Sequence, residues 1–345
     1  MNYPETLAWI HGTERFGSRL GLGRMGRLLH CMGDPHLKVP YIHVAGTNGK
    51  GSTTTMIASA LTAGGFKTGK FISPFILEFR ERMQIDSEMI PEETLAALAT
   101  RLHPIAEEFK AAGDPPTEFE LVTVLGLTWF AEAGCDIAVL EVGLGGRLDA
   151  TNIIPPPLVA VITRIDYDHT AILGDTLAAI AGEKCGILKR GSTVICYPDQ
   201  EEEALAVIRR RAKEEDDPLI LPDRTALSVL SADLTGSRIV YRGQEIFIPL
   251  PGPHQLLNTI TAVEALNALS SSRFALPPSA IAAGIAAARF PARLELLRQS
   301  PPVLVDGAHN PNGGRALCEA LKALDLHDLT AVSYTHLTLP TNSLV

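Results

Sequence analysis

The chain has 345 residues, a length that suggests about two domains and is sufficient to bury a core. Apolar residues make up 46% and charged residues 20% of the chain, which is typical of a globular protein and excludes an intrinsically disordered one. The net charge of −9 argues against general nucleic-acid binding. Five scattered cysteines without a C-x-x-C pair argue against a disulfide framework and a zinc site, and we expect them to be buried free thiols.

Short runs rich in Val and Ile alternate with longer helical patterns through the first part of the chain. The predicted strands lie at 39–45, 68–72, 136–142, 158–165 and 193–197, and the predicted helices at 50–63, 91–111, 120–133, 176–188 and 201–215. Buried strands that alternate with helices indicate an α/β fold with a mostly parallel sheet covered on both faces. The longest apolar uncharged run, 121–131, is too short to cross a bilayer, which takes about 20 residues, and no signal peptide is evident.

The pattern changes after residue 226. Residues 227–249 alternate apolar and polar positions between glycine turns, which predicts antiparallel hairpins at the edge of the sheet. Helices are predicted at 254–269 and 279–288. Prolines break the pattern at 289–302, where we place a domain boundary, and a strand at 303–305 and a helix at 312–324 follow.

The strongest motif lies between the first predicted strand and the first predicted helix. Its glycines let successive backbone N–H groups face an anion, and the helix N-terminus adds the positive end of its dipole. Lys50 is placed to reach the outer phosphates of a nucleotide, and a hydroxyl of Ser52 or Thr53 to bind Mg²⁺. The common G-x-x-x-x-G-K-[ST] pattern is altered, with Val44 and Gly51 at its first and last positions. The loop comprises Gly46, Thr47, Asn48, Gly49, Lys50, Gly51 and Ser52.

This loop resembles the phosphate loop of the ATP-dependent Mur ligase superfamily, and more closely that of the bacterial folylpolyglutamate synthase/dihydrofolate synthase family. The segments LGLGRM at 20–25 and IHVA at 42–45 are similar to the same branch, and the resemblance covers roughly residues 17–325. It implies a P-loop ATP-binding domain with a mostly parallel sheet and a small antiparallel edge sheet, followed by the start of a Rossmann-like C-terminal domain. The implied domains are 1–295 and 296–332.

Besides the hydroxyl of Ser52, three further side chains are candidates for binding Mg²⁺. Glu141 ends a predicted strand and opens the run EVGLGGRLDATN, where a carboxylate can hold Mg²⁺ beside a phosphate loop, although by itself it could be structural. His169 follows another predicted strand. A single histidine is usually structural, and Mg²⁺ prefers oxygen ligands. However, the Asp-His motif that contains His169 resembles the one in which the family's histidine binds a second Mg²⁺. Lys184 would ordinarily belong to a surface Glu–Lys helix. The resemblance implies instead that it is carbamylated by CO₂ and becomes a carboxylate-like metal ligand.

The resemblance also implies roles further along the chain. Asn258, in GPHQLLN, would contact ATP, and Arg293, in FPARLE with Ala292 at the family's glycine, would reach a phosphate at the hinge. Asp306 and His309, in DGAHNP, would act in catalysis, with capping of the next helix as the alternative for Asp306 and Asn310. The catalytic set is Lys50, Lys184, Asp306 and His309.

The substrate side is predicted from three segments. Ser73 and Pro74 lie in a family motif in which Phe75 replaces a histidine, and Arg82 and Asp149 complete the candidate substrate-binding residues. Phe75 and Phe119 could equally be core residues. Arg82 and Arg147 are the candidate cations for an anionic substrate.

The implied activity is that of an ATP-dependent ligase that adds L-glutamate to tetrahydrofolate, to dihydropteroate or to both through an acyl phosphate. It would use ATP and two Mg²⁺ ions, act as a cytoplasmic monomer on small molecules, and bind neither nucleic acid nor a membrane. The alternatives are a Mur-type ligase for another substrate, a P-loop ATPase and an inactive ATP-binding fragment. Residues 333–345 fit no strand–helix pattern and are interpreted as a non-native tail. We therefore expect poor packing and exposed apolar surface over 303–345, with impaired catalysis.

Overall fold

The computed structural model describes residues 1–13, 21–327 and 329–332. The predicted non-native tail at 333–345 lies outside these residues. Eight strands form one sheet, in the order β4-β3-β2-β5-β1-β6-β7-β8. They are β1 (Tyr41–Ala45), β2 (Thr68–Phe71), β3 (Met83–Ile85), β4 (Glu88–Met89), β5 (Ile137–Glu141), β6 (Val159–Ile162), β7 (Thr193–Cys196) and β8 (Leu219–Ile220). Neighbouring strands from β2 to β8 in this order are parallel, and β3 and β4 add an antiparallel edge.

Helices cover both faces of the sheet, as the buried strands predict. They are α1 (Tyr3–His11), α2 (Gly23–Cys31), α3 (Lys50–Ala63), α4 (Glu92–Ala111), α5 (Glu118–Glu132), α6 (Thr170–Leu173), α7 (Leu177–Lys184), α8 (Glu202–Glu215), α9 (Pro253–Asn267), α10 (Pro278–Ala287) and α11 (Pro311–Ala323). Side chains of β5 alternate between two cores: Ile137 and Val139 pack with α3, α9 and α10, whereas Ala138 and Leu140 pack with α2, α4 and α5. Each face of β5 therefore buries apolar side chains, which explains its continuous apolar sequence.

The predicted antiparallel hairpins are confirmed, but they form a sheet of their own rather than an extension of the large sheet. This sheet has the order β11-β10-β9, with β9 (Leu227–Asp233), β10 (Gly236–Tyr241) and β11 (Gln244–Ile248). One face carries Ile239, Tyr241, Ile246 and Ile248 into the core that contains α10. Burial of this face fixes the sheet against the helices instead of against β8.

A two-stranded sheet and a helix end the described chain. The strands are β12 (Glu295–Gln299) and β13 (Pro302–Val305), and β12 lies in the segment that the proline pattern marked only as a break. Val305, Leu329 and Val332 are exposed, as expected for this region. However, Ala320 of α11 is fully buried, so the helix is docked. The domain division at 295/296 stays a prediction.

The five cysteines are only partly buried, and the helices are too short or too polar for a membrane span among the described residues. Cys31 and Cys318 are exposed on α2 and α11, so the prediction that the thiols are buried is wrong for these two, which occupy solvent-facing helix positions. The other three cysteines are buried, and all five are free. Among the described residues, no helix combines the length and apolar character needed to cross a membrane.

Candidate active site

The phosphate loop connects β1 to α3 at the carboxyl edge of the parallel sheet. Gly46 has a φ of 155°, and a Cβ there would come within 1.8 Å of the Thr163 hydroxyl oxygen. Gly49 has a φ of 86°, and a Cβ there would come within 2.4 Å of Asn258 Oδ1. Both positions therefore require glycine for conformation and for close approach. All seven predicted loop residues line a cavity of about 440 Å³.

Neighbouring strands bring further predicted residues to this cavity. Val44 of β1 lies beside Glu141, the last residue of β5, because the two strands are parallel and in register. Glu141 is buried and accepts a 3.3 Å hydrogen bond from the backbone N–H of Ser73. Burial raises the pKa of Glu141 from 4.5 to about 7, although the positive charge of Lys50 opposes this increase. A buried carboxylate of this kind is ready to accept a cation.

Two lysines donate hydrogen bonds to backbone carbonyls of the phosphate loop. Lys184, at the end of α7, donates a 2.8 Å hydrogen bond from Nζ to the carbonyl of Gly46, and it is almost fully buried. Burial, together with the positive charge of Lys50, lowers the pKa of Lys184 to about 7. Lys50 Nζ donates to the carbonyl of Thr47 at 3.2 Å. The side chain of His169 is 56% exposed and also lines the cavity, with Nε2 3.8 Å from Asp168 Oδ1.

The N-terminal part of α9 forms another wall. Asn258 donates from Nδ2 to Gln255 Oε1 at 3.0 Å, and Gln255 donates to the hydroxyl of Ser52 at 3.4 Å. Gln255 belongs to the motif that predicted Asn258 but was given no role. Arg164 and His254 also line the cavity and were missed, although Arg164 falls at the end of a predicted strand, where site residues collect.

The segment between α10 and α11 closes the cavity from the other side. Arg293 lies over the Phe290 ring at 4.6 Å and lines the cavity. Ala292, at the family's glycine position, has a φ of 52°, the left-handed region that favours glycine. Asp306 accepts 2.8 Å hydrogen bonds from the backbone N–H groups of Leu294 and Ala308.

His309 faces the same cavity, and its Nδ1 lies 2.8 Å from the carbonyl of Gly307. Asn310 caps α11 by accepting a hydrogen bond from Gly313, so the capping alternative holds for Asn310. The four predicted catalytic residues, although 259 positions separate the first from the last, all line one cavity.

A second cavity of about 280 Å³ adjoins the first. Its lining includes Ser73, Pro74, Arg82, Thr117, Phe119, Glu120, Leu148 and Asp149. Ser73, Pro74, Gly143 and Leu144 line both cavities. The four predicted substrate-binding residues therefore lie together beside the phosphate loop.

The side chains of this second cavity are held by neighbours. Arg82 lies over the rings of Phe75 and Phe79 at 5.2 and 5.3 Å and pairs with Glu118 at 3.4 Å. Asp149 is buried and accepts hydrogen bonds from the backbone N–H groups of Leu144 and Thr151.

The prediction that Arg147 serves as a cleft cation is not supported by its position. Arg147 lines neither cavity, and its exposed guanidinium pairs with Glu183 at 2.9 Å. The carbonyl of Arg147 accepts a 3.1 Å hydrogen bond from Asn152 Nδ2, which holds the backbone here while the side chain pairs with Glu183.

Comparisons with known proteins extend these observations. Residues 44–266 match the Mur ligase middle domain family. The dihydrofolate synthase/folylpolyglutamate synthase of Bacillus subtilis is 39% identical over 93% of this chain and 76% of its own length. The folylpolyglutamate synthase of Lacticaseibacillus casei is 38% identical over 96% of this chain and 79% of its own length.

Solved structures show the same similarity. An FPGS–AMPPCP–folate complex superposes with a TM-score of 0.85 at 37% identity, covering 94% of this chain and 81% of that one. The folylpolyglutamate synthase of Mycobacterium tuberculosis, complexed with ADP, superposes with a TM-score of 0.83 at 32% identity, covering 93% of this chain and 74% of that one.

Proposed function

The chain belongs to the folylpolyglutamate synthase/dihydrofolate synthase family of Mur ligases, and on this premise we propose that it joins L-glutamate to a folate-type carboxylate at the expense of ATP. The observation that carries the proposal is the pair of adjoining cavities, which share the wall formed by Ser73, Pro74, Gly143 and Leu144. One cavity contains a phosphate loop, and the other contains aromatic and cationic side chains. A substrate carboxylate at their junction would lie beside the terminal phosphate of ATP.

ATP would occupy the larger cavity. The loop from Gly46 to Ser52 and the N-terminus of α3 suit its phosphates, and Arg293 and Lys50, which both line the cavity, supply positive charge. Relatives solved with AMPPCP or ADP support this placement. The substrate carboxylate would attack the terminal phosphate to give an acyl phosphate and ADP, and the amine of glutamate would then displace inorganic phosphate. Positioning and charge stabilisation by these side chains would account for most of the rate enhancement.

The donors for Mg²⁺ fit a nucleotide-bound ion rather than an all-protein site. In the described part of the chain, no three His, Cys, Asp or Glu side chains converge as a metal cluster. Mg²⁺ commonly takes one or two protein ligands together with waters and substrate phosphates. The buried carboxylate of Glu141 and the hydroxyl of Ser52 suit that mode, and His169 is the candidate for a second ion. When bound, Mg²⁺ would neutralise charge on the transferred phosphate.

Lys184 suits the proposed carbamylation. A neutral amine is the form that adds CO₂, and burial lowers the pKa of Lys184 to about 7, which leaves much of it neutral under ordinary conditions. The lone pair of Nζ would form the N–C bond, and one amine proton would leave to solvent. The product carries a negative charge in place of a positive one, close to the phosphate loop that Lys184 already contacts.

The second cavity would take the pterin-bearing substrate. Phe119 offers an aromatic surface, Asp149 offers a buried carboxylate, and Arg82 offers a cation. A pterin is a flat heterocycle with several N–H groups, so stacking and carboxylate acceptance match its chemistry. These residues do not separate dihydropteroate from tetrahydrofolate, and both are candidate substrates.

The test is ADP formation by the purified chain with ATP, Mg²⁺, L-glutamate and each pterin substrate, with mass analysis of the product. The proposal requires a product heavier by one glutamate, and turnover that depends on both glutamate and the pterin substrate. Lys50→Ala is the control, because it removes the phosphate-facing ammonium and leaves α3 in place. ADP formation at a rate independent of both glutamate and the pterin substrate would instead indicate an ATPase. ATP binding without turnover would indicate an inactive nucleotide-binding chain.

A further inference from the structure

Three polar side chains at the start of α11 contact the phosphate-loop side of the sheet. We call Asn310, Asn312 and Arg315 the α11 latch. Their partners are Asn48 of the phosphate loop and two aspartates, Asp166 and Asp168, in the segment after β6. These contacts join residues separated by more than 140 positions in the chain.

The central member of the latch is Asn312, which is 9% exposed. Its Oδ1 accepts a 2.7 Å hydrogen bond from Asn48 Nδ2, and its Nδ2 donates a 2.5 Å hydrogen bond to Asp166 Oδ2. The Thr47 hydroxyl closes a ring, because it donates to the carbonyl of Asp166 at 2.9 Å and accepts from its N–H at 3.0 Å. One amide group thus connects the phosphate loop to the segment after β6.

The other two members of the latch reinforce the same connection. Asn310 Nδ2 lies 3.0 Å from Asp168 Oδ2 and 3.2 Å from Asn48 Oδ1. Arg315 pairs with Asp166 at 3.1 Å. The aspartates also lie near the N-terminus of α11, where the helix dipole favours negative charge.

The latch residues Asn310, Asn312 and Arg315 line the nucleotide cavity themselves, and the segment that precedes them in the chain lines it as well. The segment from Asp306 to His309 lines the nucleotide cavity and leads directly into α11. If α11 moves away from the phosphate loop, this segment moves with it. The second cavity is lined by none of the latch residues or their aspartate partners. The latch is therefore placed to affect nucleotide binding and not binding of the pterin substrate.

We propose that Asn312 is a positioning residue that holds α11 against the phosphate loop and so shapes the closed nucleotide site. The proposal rests on the proposed function only in taking ATP as the ligand of the larger cavity. Asn312 lines the cavity, but Asn48 and Asp166 occupy its amide, so it acts on the nucleotide site through these two partners. Loss of its amide removes one hydrogen bond to a neutral group and one to a carboxylate, which together correspond to a change of about 30-fold or more in the equilibrium constant for closing the latch. Only the part of this change that differs between the free and the nucleotide-bound chain reaches the nucleotide affinity.

The experiment is calorimetric titration of the full chain with AMPPCP and Mg²⁺, which needs no turnover. Asn312→Ala is expected to raise the dissociation constant about 10- to 100-fold. Asn267→Ala is the matched control, because it removes an exposed amide at the far end of α9 and should change affinity less than about twofold. Circular dichroism checks folding. If Asn312→Ala does not fold, Asn312→Asp keeps the size and opposes Asp166 with a like charge, and it should weaken binding in a salt-dependent way.

A double-mutant cycle separates the latch from a general structural effect. Asp166→Ala and Asn312→Ala should be non-additive, and Asp166→Asn, which keeps an acceptor for Asn312, should restore part of the affinity. In turnover, KM for ATP should rise and KM for the pterin substrate should not. An unchanged AMPPCP affinity, additive effects, or an equal effect of Asn267→Ala would overturn the proposal. If the wild type binds AMPPCP but forms no glutamate product, the proposed function fails while the affinity comparison still decides the latch. No binding by the wild type would reject both.

Discussion

Replacing Lys184 by methionine should stabilise the protein at acidic pH. Lys184 is 4% exposed, and the pKa of its ammonium falls from the ordinary value of 10.5 to about 7 because of burial. Below about pH 7 the folded chain must keep this charge away from water, whereas the unfolded chain hydrates it. Methionine has a similar length and carries no charge, so Lys184→Met removes this cost.

The magnitude follows from the pKa difference. A pKa unit corresponds to about 1.4 kcal/mol, so the difference between 10.5 and about 7 gives an upper bound of about 5 kcal/mol. The hydrogen bond from Nζ to the Gly46 carbonyl offsets about 1–3 kcal/mol of that cost, since a charged donor makes it. We therefore expect Lys184→Met to raise the free energy of unfolding by about 2–4 kcal/mol at about pH 6.

The pH dependence has a defined sign. Between about 7 and 10.5 the unfolded lysine binds a proton and the folded lysine does not, so the stability of the wild type rises with pH across this window. The advantage of Lys184→Met should shrink over the same range. The assay is urea unfolding in bicarbonate-free buffer, followed by the fluorescence of Trp9 and Trp129 and compared at several pH values. A variant that is less stable than the wild type by a constant amount from about pH 6 to 10 would refute this reasoning.

Three further predictions concern other parts of the site and the core. Glu141→Gln should raise the free energy of unfolding by about 1–3 kcal/mol at about pH 8, measured by urea unfolding, because burial makes the charged carboxylate costly in the folded chain. This gain should disappear as the pH falls from about 7 to 4.5, where the carboxyl group of the unfolded chain also becomes protonated. Arg24→Ala should lower the free energy of unfolding by about 3–5 kcal/mol, because it removes the guanidinium that lies 2.9 Å from the buried carboxylate of Glu120. As a control, Arg209→Ala removes an exposed arginine and should change the free energy of unfolding by less than about 1 kcal/mol. Phe119→Ala should raise KM for the pterin substrate about tenfold or more in steady-state assays without changing KM for ATP, and an equal change in both would contradict its placement in the second cavity.

The phosphate loop and its flanking elements could be predicted from the sequence. The predicted helix at 50–63 is confirmed at both ends, and β1 is confirmed within two residues at its start. Glycines at 46 and 49, an apolar run before them and a lysine after them are neighbours in the chain. Local backbone preferences and alternating burial act over the same few residues, so this pattern can be recognised without knowledge of tertiary contacts. The antiparallel pattern at 227–249 could be predicted for the same reason.

Elements whose pairing is non-local were harder to predict. The strand β12 was not predicted because its own sequence shows no regular apolar alternation. It is defined by its pairing with β13, and prolines surround it. The edge strands β3 and β4 are short, and β4 has only two residues, too few for a periodic pattern. The separate sheet of β9, β10 and β11 was placed at the sheet edge because the sequence does not encode which face of the helices will cover it.

The sequence by itself determined the chemistry available to this protein: an anion-binding loop, a carboxylate after a strand and the family to which these motifs belong. Only the tertiary structure decided which groups meet. Parallel strand order places Glu141 beside the phosphate loop, and the packing of α7 brings Lys184 to Gly46 across 138 positions. It also excluded Arg147 from both cavities and joined Asn312 to Asp166. A contact between distant segments depends on how whole elements are packed, and no local pattern of residues records that arrangement.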